Sequence, residues 1–217
     1  MSDSRPHTRI ATPATPPDEI LLEQFLSGDD AAYTVLYERF DASVLTYLRT
    51  ILKDDLDVAD DLFQETFVRL FRERKRRADA PDVYAPVKNV RGWLFRVAHN
   101  LAISHHRSRR QSVSLSDGDG DAHWDERLLV PIEESFAQIY GEENEMRSES
   151  LHDQLRVAID LLPPALREVY VLREINGLEY DQVATVAGCT QEAARMRISR
   201  ARRALRKVLE RYLERPE

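Results

Sequence analysis

The stretch DDLFQETFVRLFRERKRRADAPDVYAPVKNVRGWLFRVAHNLAISHHRSRR, residues 60–110, contains two segments with helical periodicity, joined by a proline-containing loop. In the first segment, apolar side chains recur at three- and four-residue steps and so share one helix face: Leu62, Phe63, Phe67, Leu70 and Phe71. The opposite face carries a group that we name the polar ridge: Asp61, Gln64, Glu65, Arg69 and Arg72. The second segment is predicted to be a helix with an apolar stripe and a basic end at His105, His106, Arg107, Arg109 and Arg110.

The rest of the chain also has the pattern of helices. Only 7 of the 217 residues are glycine, and alternation of β-branched residues is almost absent, which argues against a sheet. Apolar residues keep helical spacing in a short segment from Asp18 and in a long segment from Asp29 to Ile51. Together with residues 60–110 these segments predict a four-helix unit over residues 18–110. Residues 1–17, rich in Pro, Thr and Ser, are expected to form a disordered leader.

Charge is segregated along the chain, so the net charge of −7 conceals basic regions. Residues 112–150 contain 11 acidic and 2 basic residues, and the remainder of the chain therefore carries +2. A Gly-, Asp- and Ser-rich composition predicts a flexible acidic linker over residues 111–144. Its DGDGD run lacks the terminal Glu of a complete calcium-binding loop, so we expect no metal site there. Both a plain solvated tether and a nucleic-acid mimic are compatible with the composition of this linker.

A second helical unit is predicted over residues 145–217. It contains a short helix near Tyr180, a turn at Gly188 and Thr190 as an N-cap. The long helix that follows has a regular apolar stripe of Ala194, Ile198, Ala201, Leu205, Val208 and Tyr212. This order of elements is typical of a helix-turn-helix, whose second helix enters the major groove. We expect bases to be contacted by Glu192, Arg195, Met196 and Ser199, and phosphates by Arg200 and Arg203.

Two parts of the sequence resemble one bacterial family. DDLFQETFVRLF followed by RGWLFRVAHNLAISHHRSRR is similar to region two of extracytoplasmic-function (ECF) sigma factors, of the sigma-70 superfamily. LPPALREVYVLREINGLEY and the following helix-turn-helix resemble their region four. The resemblance implies an all-α protein in which a region-two unit and a helix-turn-helix unit are joined by the linker. Two departures, Glu179 in place of a Ser cap and Glu192-Ala193 in place of Gly-Thr, affect the expected promoter sequence rather than the fold.

The resemblance also implies partners and residue roles. It implies a sigma factor that binds core RNA polymerase through the polar ridge, directs it to specific promoters, helps melt the minus-ten element and is bound by an anti-sigma factor. The helix-turn-helix would bind the minus-thirty-five element. The expected minus-ten DNA residues are Tyr84, Trp93, Arg96, Asn100, Ser104, Arg107, Arg109 and Arg110. Asn100 occupies the position that the family uses beside a flipped base, and Ser104 lies one turn away. Trp93 and Phe95 remain ambiguous between DNA and the core.

Several function classes are disfavoured. The chain has no Walker loop, GxSxG or HExxH motif, so we expect neither an enzyme nor a cofactor. His99 and His106 are two helical turns apart, about 11 Å, and cannot share one metal ion. A single cysteine, Cys189, no long apolar run and no signal peptide favour a cytoplasmic protein. The alternatives are a helix-turn-helix regulator that acts without polymerase and a helical adaptor with no DNA role. The Arg-rich long helix argues against the adaptor.

Overall fold

The computed structural model describes residues 16–53, 55–80, 87–113 and 151–213. Within these ranges the chain forms α1 (Asp18–Leu26), α2 (Asp30–Ile51), α3 (Leu56–Asp79), α4 (Val90–Val113), α5 (Leu151–Leu161), α6 (Pro164–Tyr170), a π-helical turn (Val171–Ile175), α7 (Tyr180–Val186) and α8 (Gln191–Leu213). The predicted all-α class is confirmed, and the described ranges contain no β-strand. Tyr84, leader residues 1–15 and linker residues 114–144 lie outside them.

Helices α1 to α4 pack around the side chains that the helical periodicity places on their inner faces. Leu36, Leu48, Leu70 and Leu94 are almost completely buried there. Phe95, which the sequence left ambiguous, is also fully buried and belongs to this core. Helix α4 continues to Val113, three residues beyond the predicted end of the unit, because no glycine or proline interrupts the chain before Gly118.

An aromatic cluster holds α3 against α1 and α2. The Phe71 ring lies 5.1 Å from that of Phe25, edge to face, and 4.6 Å from that of Tyr33. One turn earlier, Phe67 lies 4.9 Å from Tyr37. Phe71 is 44% exposed in spite of these contacts, because it lies at the edge of the cluster and not beneath it. The aromatic face of α3 therefore points inward as predicted, and the polar ridge points outward.

The helix that begins at Pro164 changes its geometry part-way. Pro163 and Pro164 precede and begin α6, where a missing N–H costs nothing. From Val171 onward the turn widens, and the Asn176 N–H donates to the Val171 carbonyl over 3.0 Å. The Asn176 side-chain amide donates to the same carbonyl over 2.9 Å. Val171 and Leu172, the first two residues of this turn, are both buried in the core.

The helix-turn-helix has the predicted elements. The connection from α7 to α8 passes through Gly188 at φ 60°, a left-handed conformation that favours glycine. The Thr190 hydroxyl oxygen accepts from the Ala193 N–H over 3.1 Å and so caps α8, as expected. On the inner face of α8, Ala194, Ile198, Ala201 and Leu205 are buried. The side chains of Val208 and Tyr212 lie outside the described part of the structure.

The two helical units pack directly against each other, which the sequence did not predict. Helix α4 contacts α7, helix α2 contacts α6, and the buried residues of both units form one continuous core. The Arg91 guanidinium donates to the Asn176 carbonyl over 2.9 Å and lies 5.1 Å from the centre of the Phe40 ring. Across the same interface, Arg167 donates to the Thr50 carbonyl over 3.3 Å. The interface is therefore both apolar and hydrogen-bonded.

Candidate polymerase and nucleic-acid interfaces

The polar ridge is an exposed and internally paired surface of α3. Asp61, Gln64, Arg69 and Arg72 are exposed, and Glu65 is partly buried between them. The Glu65 carboxylate accepts from Arg69 Nε over 3.1 Å and also from the Arg72 guanidinium. Partial burial raises the pKa of the Glu65 carboxyl, but the hydrogen bonds from Arg69 and Arg72 outweigh it and hold the pKa below its usual range. Within the ridge, Glu65, Arg69 and Arg72 therefore form a pre-formed arrangement of one acidic and two basic groups.

The start of α4 is defined by an asparagine cap. Asn89 Oδ1 accepts from the Gly92 N–H over 2.8 Å. A Cβ atom at Gly92 would lie 2.9 Å from the Asn89 side-chain nitrogen, so a larger residue at this position would require the capping side chain to shift. Beyond the cap, Arg96, Asn100 and Ser104 follow at four-residue steps and are all exposed. The structure therefore brings three of the expected minus-ten residues onto one open face.

The other expected minus-ten residues have different surroundings. Trp93 is partly buried and packs against the hydrophobic core, so only part of its ring is accessible. Arg107 is exposed. Arg109 forms a salt bridge with Asp55, which precedes α3, and His105 Nε2 lies 3.8 Å from the same carboxylate. Tyr84 and the side chain of Arg110 lie outside the described residues.

The expected minus-thirty-five residues share one surface of α8. All six are exposed, opposite the buried stripe: Glu192, Arg195, Met196, Ser199, Arg200 and Arg203. Arg202, on an adjacent face, donates to the Glu174 carboxylate over 2.7 Å. This hydrogen bond is the main reason why the pKa of Arg202 lies above its ordinary value. Arg202 is therefore tied to the π-helical turn, and the six predicted residues lie together on the exposed face of α8.

Sequence reasoning missed the contacts of Tyr180, the first residue of α7. The guanidinium carbons of Arg173 and Arg195 lie 4.6 Å and 5.3 Å from the centre of its ring. Arg173 also donates to the Leu178 carbonyl over 2.7 Å and pairs with Glu179 over 3.0 Å. The available signal was an aromatic residue at the start of the first helix of a helix-turn-helix, beside an arginine-rich second helix.

Sequence reasoning also missed a polar cluster at the interface between the units. The Glu168 carboxylate of α6 lies 2.6 Å from Nδ1 of His99 in α4 and accepts from the Tyr47 hydroxyl of α2 over 3.1 Å. Because the carboxylate can only accept, the hydrogen bond between them is assigned to a proton on His99 Nδ1. Burial, and after it the charge of Glu168, raises the pKa of Tyr47 well above its ordinary value. The charged Arg167-Glu168 pair within the apolar run LPPALREVYVL was the available signal.

A cavity of about 30 Å³ adjoins this cluster, between α4 and α6. Its lining includes His99, His106, Arg167 and Glu168. The volume is close to that of one water molecule and is far below the several hundred Å³ of a small-molecule site. Among the described residues, no three His, Cys, Asp or Glu side chains converge as a metal site. None of the described helices combines the length and apolar character that a membrane span needs.

Two family models match the chain in the order of the two helical units. Residues 36–112 match Sigma-70 region 2, and residues 152–205 match Sigma-70, region 4. The ECF RNA polymerase sigma-E factor of Escherichia coli strain K12 is 29% identical over 189 residues, 87% of this chain and 92% of the relative. The chain belongs to the ECF sigma factors of the sigma-70 family. The RNA polymerase sigma-H factor of Pseudomonas aeruginosa is 28% identical over 193 residues, 89% of this chain and 94% of that sigma factor.

Solved structures agree with this membership. CnrH, in complex with the cytosolic domain of CnrY, has a TM-score of 0.50 and 26% identity, covering 89% of this chain and 97% of CnrH. The sigma factor RpoE from Bartonella quintana, in complex with the anti-sigma factor NepR, has a TM-score of 0.53 and 18% identity. That alignment covers 84% of this chain and 98% of RpoE and shows a shared fold. The family-model matches and the curated relatives give the chain a sigma factor role, and sigma factors are non-catalytic regulators of RNA polymerase.

Proposed function

We propose that this ECF sigma factor divides its work among three surfaces. The polar ridge of α3 binds core RNA polymerase. Arg96, Asn100 and Ser104 of α4, with the basic end of that helix, bind the separated minus-ten strand. The exposed surface of α8 binds the minus-thirty-five element as duplex. We assign residues 18–110 to the region-two unit, 145–217 to the region-four unit and 111–144 to the acidic linker between them.

One observation carries this assignment: the candidate residues with described side chains lie on exposed helix faces, opposite buried stripes. Among them, Trp93 and Glu65 are partly buried. The two family models match residues 36–112 and 152–205, which lie within the two proposed units and support their order. Exposed arginines on α4 and α8 supply the positive charge that phosphate contacts require. Asn100 offers both a donor and an acceptor, as pairing with an exposed base edge requires.

The proposed partners are core polymerase, promoter DNA and an anti-sigma factor, and the proposed location is the cytoplasm. The complexes of CnrH with the cytosolic domain of CnrY and of RpoE with NepR support the proposal of an anti-sigma partner. The chain itself would supply no catalytic group, because the polymerase carries out RNA synthesis. No cofactor is part of the proposal.

Reconstituted transcription tests the proposed function. Core polymerase with the purified chain should start transcription at promoters selected from a genomic library, whereas core polymerase alone should not. A helix-turn-helix regulator that acts without polymerase would bind duplex DNA but would not confer promoter-dependent initiation on the core enzyme. An adaptor without a DNA role would do neither, so the assay separates the three classes.

A further inference from the structure

Arg195 projects from the second turn of α8 and lies over the ring of Tyr180. Its guanidinium carbon is 5.3 Å from the ring centre, within the range of a cation–π contact. Arg195 is exposed, whereas Tyr180 is partly buried and packs against the hydrophobic core. An exposed arginine on the proposed base-contacting surface therefore contacts an aromatic ring that packs against the core.

The ring itself is held by a second arginine. Arg173 of the π-helical turn lies 4.6 Å from the centre of the Tyr180 ring. Its guanidinium also donates to the Leu178 carbonyl over 2.7 Å and pairs with Glu179 over 3.0 Å. The side chain of Arg173 is only 24% exposed. Arg173 is thus held by Leu178 and Glu179 in the loop before α7, and the Tyr180 ring contacts both Arg173 and Arg195.

Stacking and base contact use different parts of a guanidinium group. A planar guanidinium stacks through its face, while its N–H donors point outward along its edge. Two of those donors match O6 and N7 of a guanine in the major groove. Arg195 can therefore keep its contact with Tyr180 while it donates to a base. A side chain restrained in this way loses less rotamer entropy on binding than a free one.

We propose that Tyr180 is a positioning residue for promoter specificity, whose ring orients the Arg195 guanidinium toward a guanine in the minus-thirty-five element. This role rests on the proposed function of α8 as the element that contacts minus-thirty-five bases. Tyr180 acts through Arg195 and does not itself contact the base. The interaction should therefore affect discrimination at a single promoter position.

The experiment uses holoenzyme, formed from core polymerase and the full chain, and a promoter library randomised over the minus-thirty-five element. Comparison with Arg195→Ala first identifies the position whose guanine preference depends on Arg195. Tyr180→Phe keeps the ring and should keep this preference. Tyr180→Leu removes the aromatic face and should reduce the preference about 2- to 5-fold, the size of an exposed cation–π contact. In an Arg195→Ala background, Tyr180→Leu should not change the preference further.

Matched variants distinguish specificity from folding. Arg203→Ala, at a proposed phosphate contact, should weaken all library members alike and shows what a non-specific loss looks like. Circular dichroism and thermal unfolding check that Tyr180→Leu is folded. If it is not, Tyr180→Met preserves apolar volume with a flexible side chain and gives the same comparison.

Two results would overturn the proposal, and they are distinguishable. If Tyr180→Leu weakens every sequence equally, or acts in the same way with and without Arg195, the ring has only a structural role, while base contact by Arg195 stands. If Arg195→Ala itself leaves every base preference unchanged, the proposed base contact fails, and with it this role of Tyr180. Loss of one preference in both single variants, without further loss in the double variant, supports the coupling.

Discussion

The Glu168→Leu substitution is expected to destabilise the contact between the two helical units. Glu168 of α6 is the shared acceptor for the Tyr47 hydroxyl and His99 Nδ1, at 3.1 Å and 2.6 Å. Each buried donor that loses its acceptor costs about 1–3 kcal/mol, although the Tyr47 hydroxyl lies 3.3 Å from His99 Nδ1 and can replace one of the two lost bonds. The adjacent cavity of about 30 Å³ can admit a water molecule that replaces part of the lost bonding. We therefore expect the free energy of unfolding to fall by about 2–4 kcal/mol.

Urea unfolding followed by circular dichroism measures this loss through the shift of the midpoint. Glu174→Ala is the matched control, since it removes a carboxylate paired with a half-exposed arginine at the protein surface. Glu174→Ala should lower the free energy of unfolding by less than about 1 kcal/mol. Combining Glu168→Leu with His99→Leu and Tyr47→Phe removes the stranded donors as well and should recover much of the stability.

A distance measurement tests whether the loss concerns the contact between units. Spectroscopic labels at Glu38 of α2 and Arg206 of α8, both exposed, report the separation of the units when the native Cys189 is replaced by Ser. Glu168→Leu should increase the population with long distances. If it costs no more than Glu174→Ala and leaves the distance distribution unchanged, the cluster does not hold the units together and the reasoning is wrong.

Three further outcomes are expected. Gln64→Ala combined with Glu65→Lys should weaken core polymerase binding about 10-fold or more while the helical content stays constant; unchanged co-purification with core would refute this role of the ridge. Asn100→Ala should reduce permanganate reactivity of promoter thymines but leave closed-complex binding intact, and normal opening of the native promoter would exclude the residue from melting. The pKa of Tyr47 is higher in the folded state than in the unfolded state. Its contribution to the free energy of unfolding is therefore complete below pH about 10 and is lost as the pH rises toward the pKa of the folded state. Alkaline spectrophotometric titration should therefore show a late-ionising tyrosine that Tyr47→Phe removes.

Local patterns predicted the parts of the structure that depend on local geometry. The buried stripe of α8 from Ala194 to Leu205 follows from a period of 3.6 residues, and the Thr190 cap follows from the chemistry of helix N-termini. The polar ridge was found for the same reason, since a helix with one apolar face must present the other to solvent. Exposure of the proposed site residues agrees with the sequence, but their roles stay predictions.

Contacts between distant residues could not be predicted in this way. Tyr47 lies 52 positions before His99 and 121 positions before Glu168 in the sequence. Its hydroxyl is nevertheless within hydrogen-bond distance of both side chains. No periodicity relates such positions, and the two units each have a plausible helical pattern without the other. The π-helical turn was missed because the adjacent buried residues Val171 and Leu172 fit a regular α-helix equally well in the sequence.

Direct packing of the two units limits how far the chain can reach along DNA. The minus-ten and minus-thirty-five elements are about 25 base pairs apart, about 85 Å of duplex. Helices α4 and α8, with 24 and 23 residues, are each only about 35 Å long, and α4 lies against α7, the neighbour of α8 in the helix-turn-helix. Under the proposed function, both elements can be occupied together only after the units separate. If the form with packed units is favoured 100 to 1 over the form with separated units, the apparent affinity for a complete promoter falls about 100-fold.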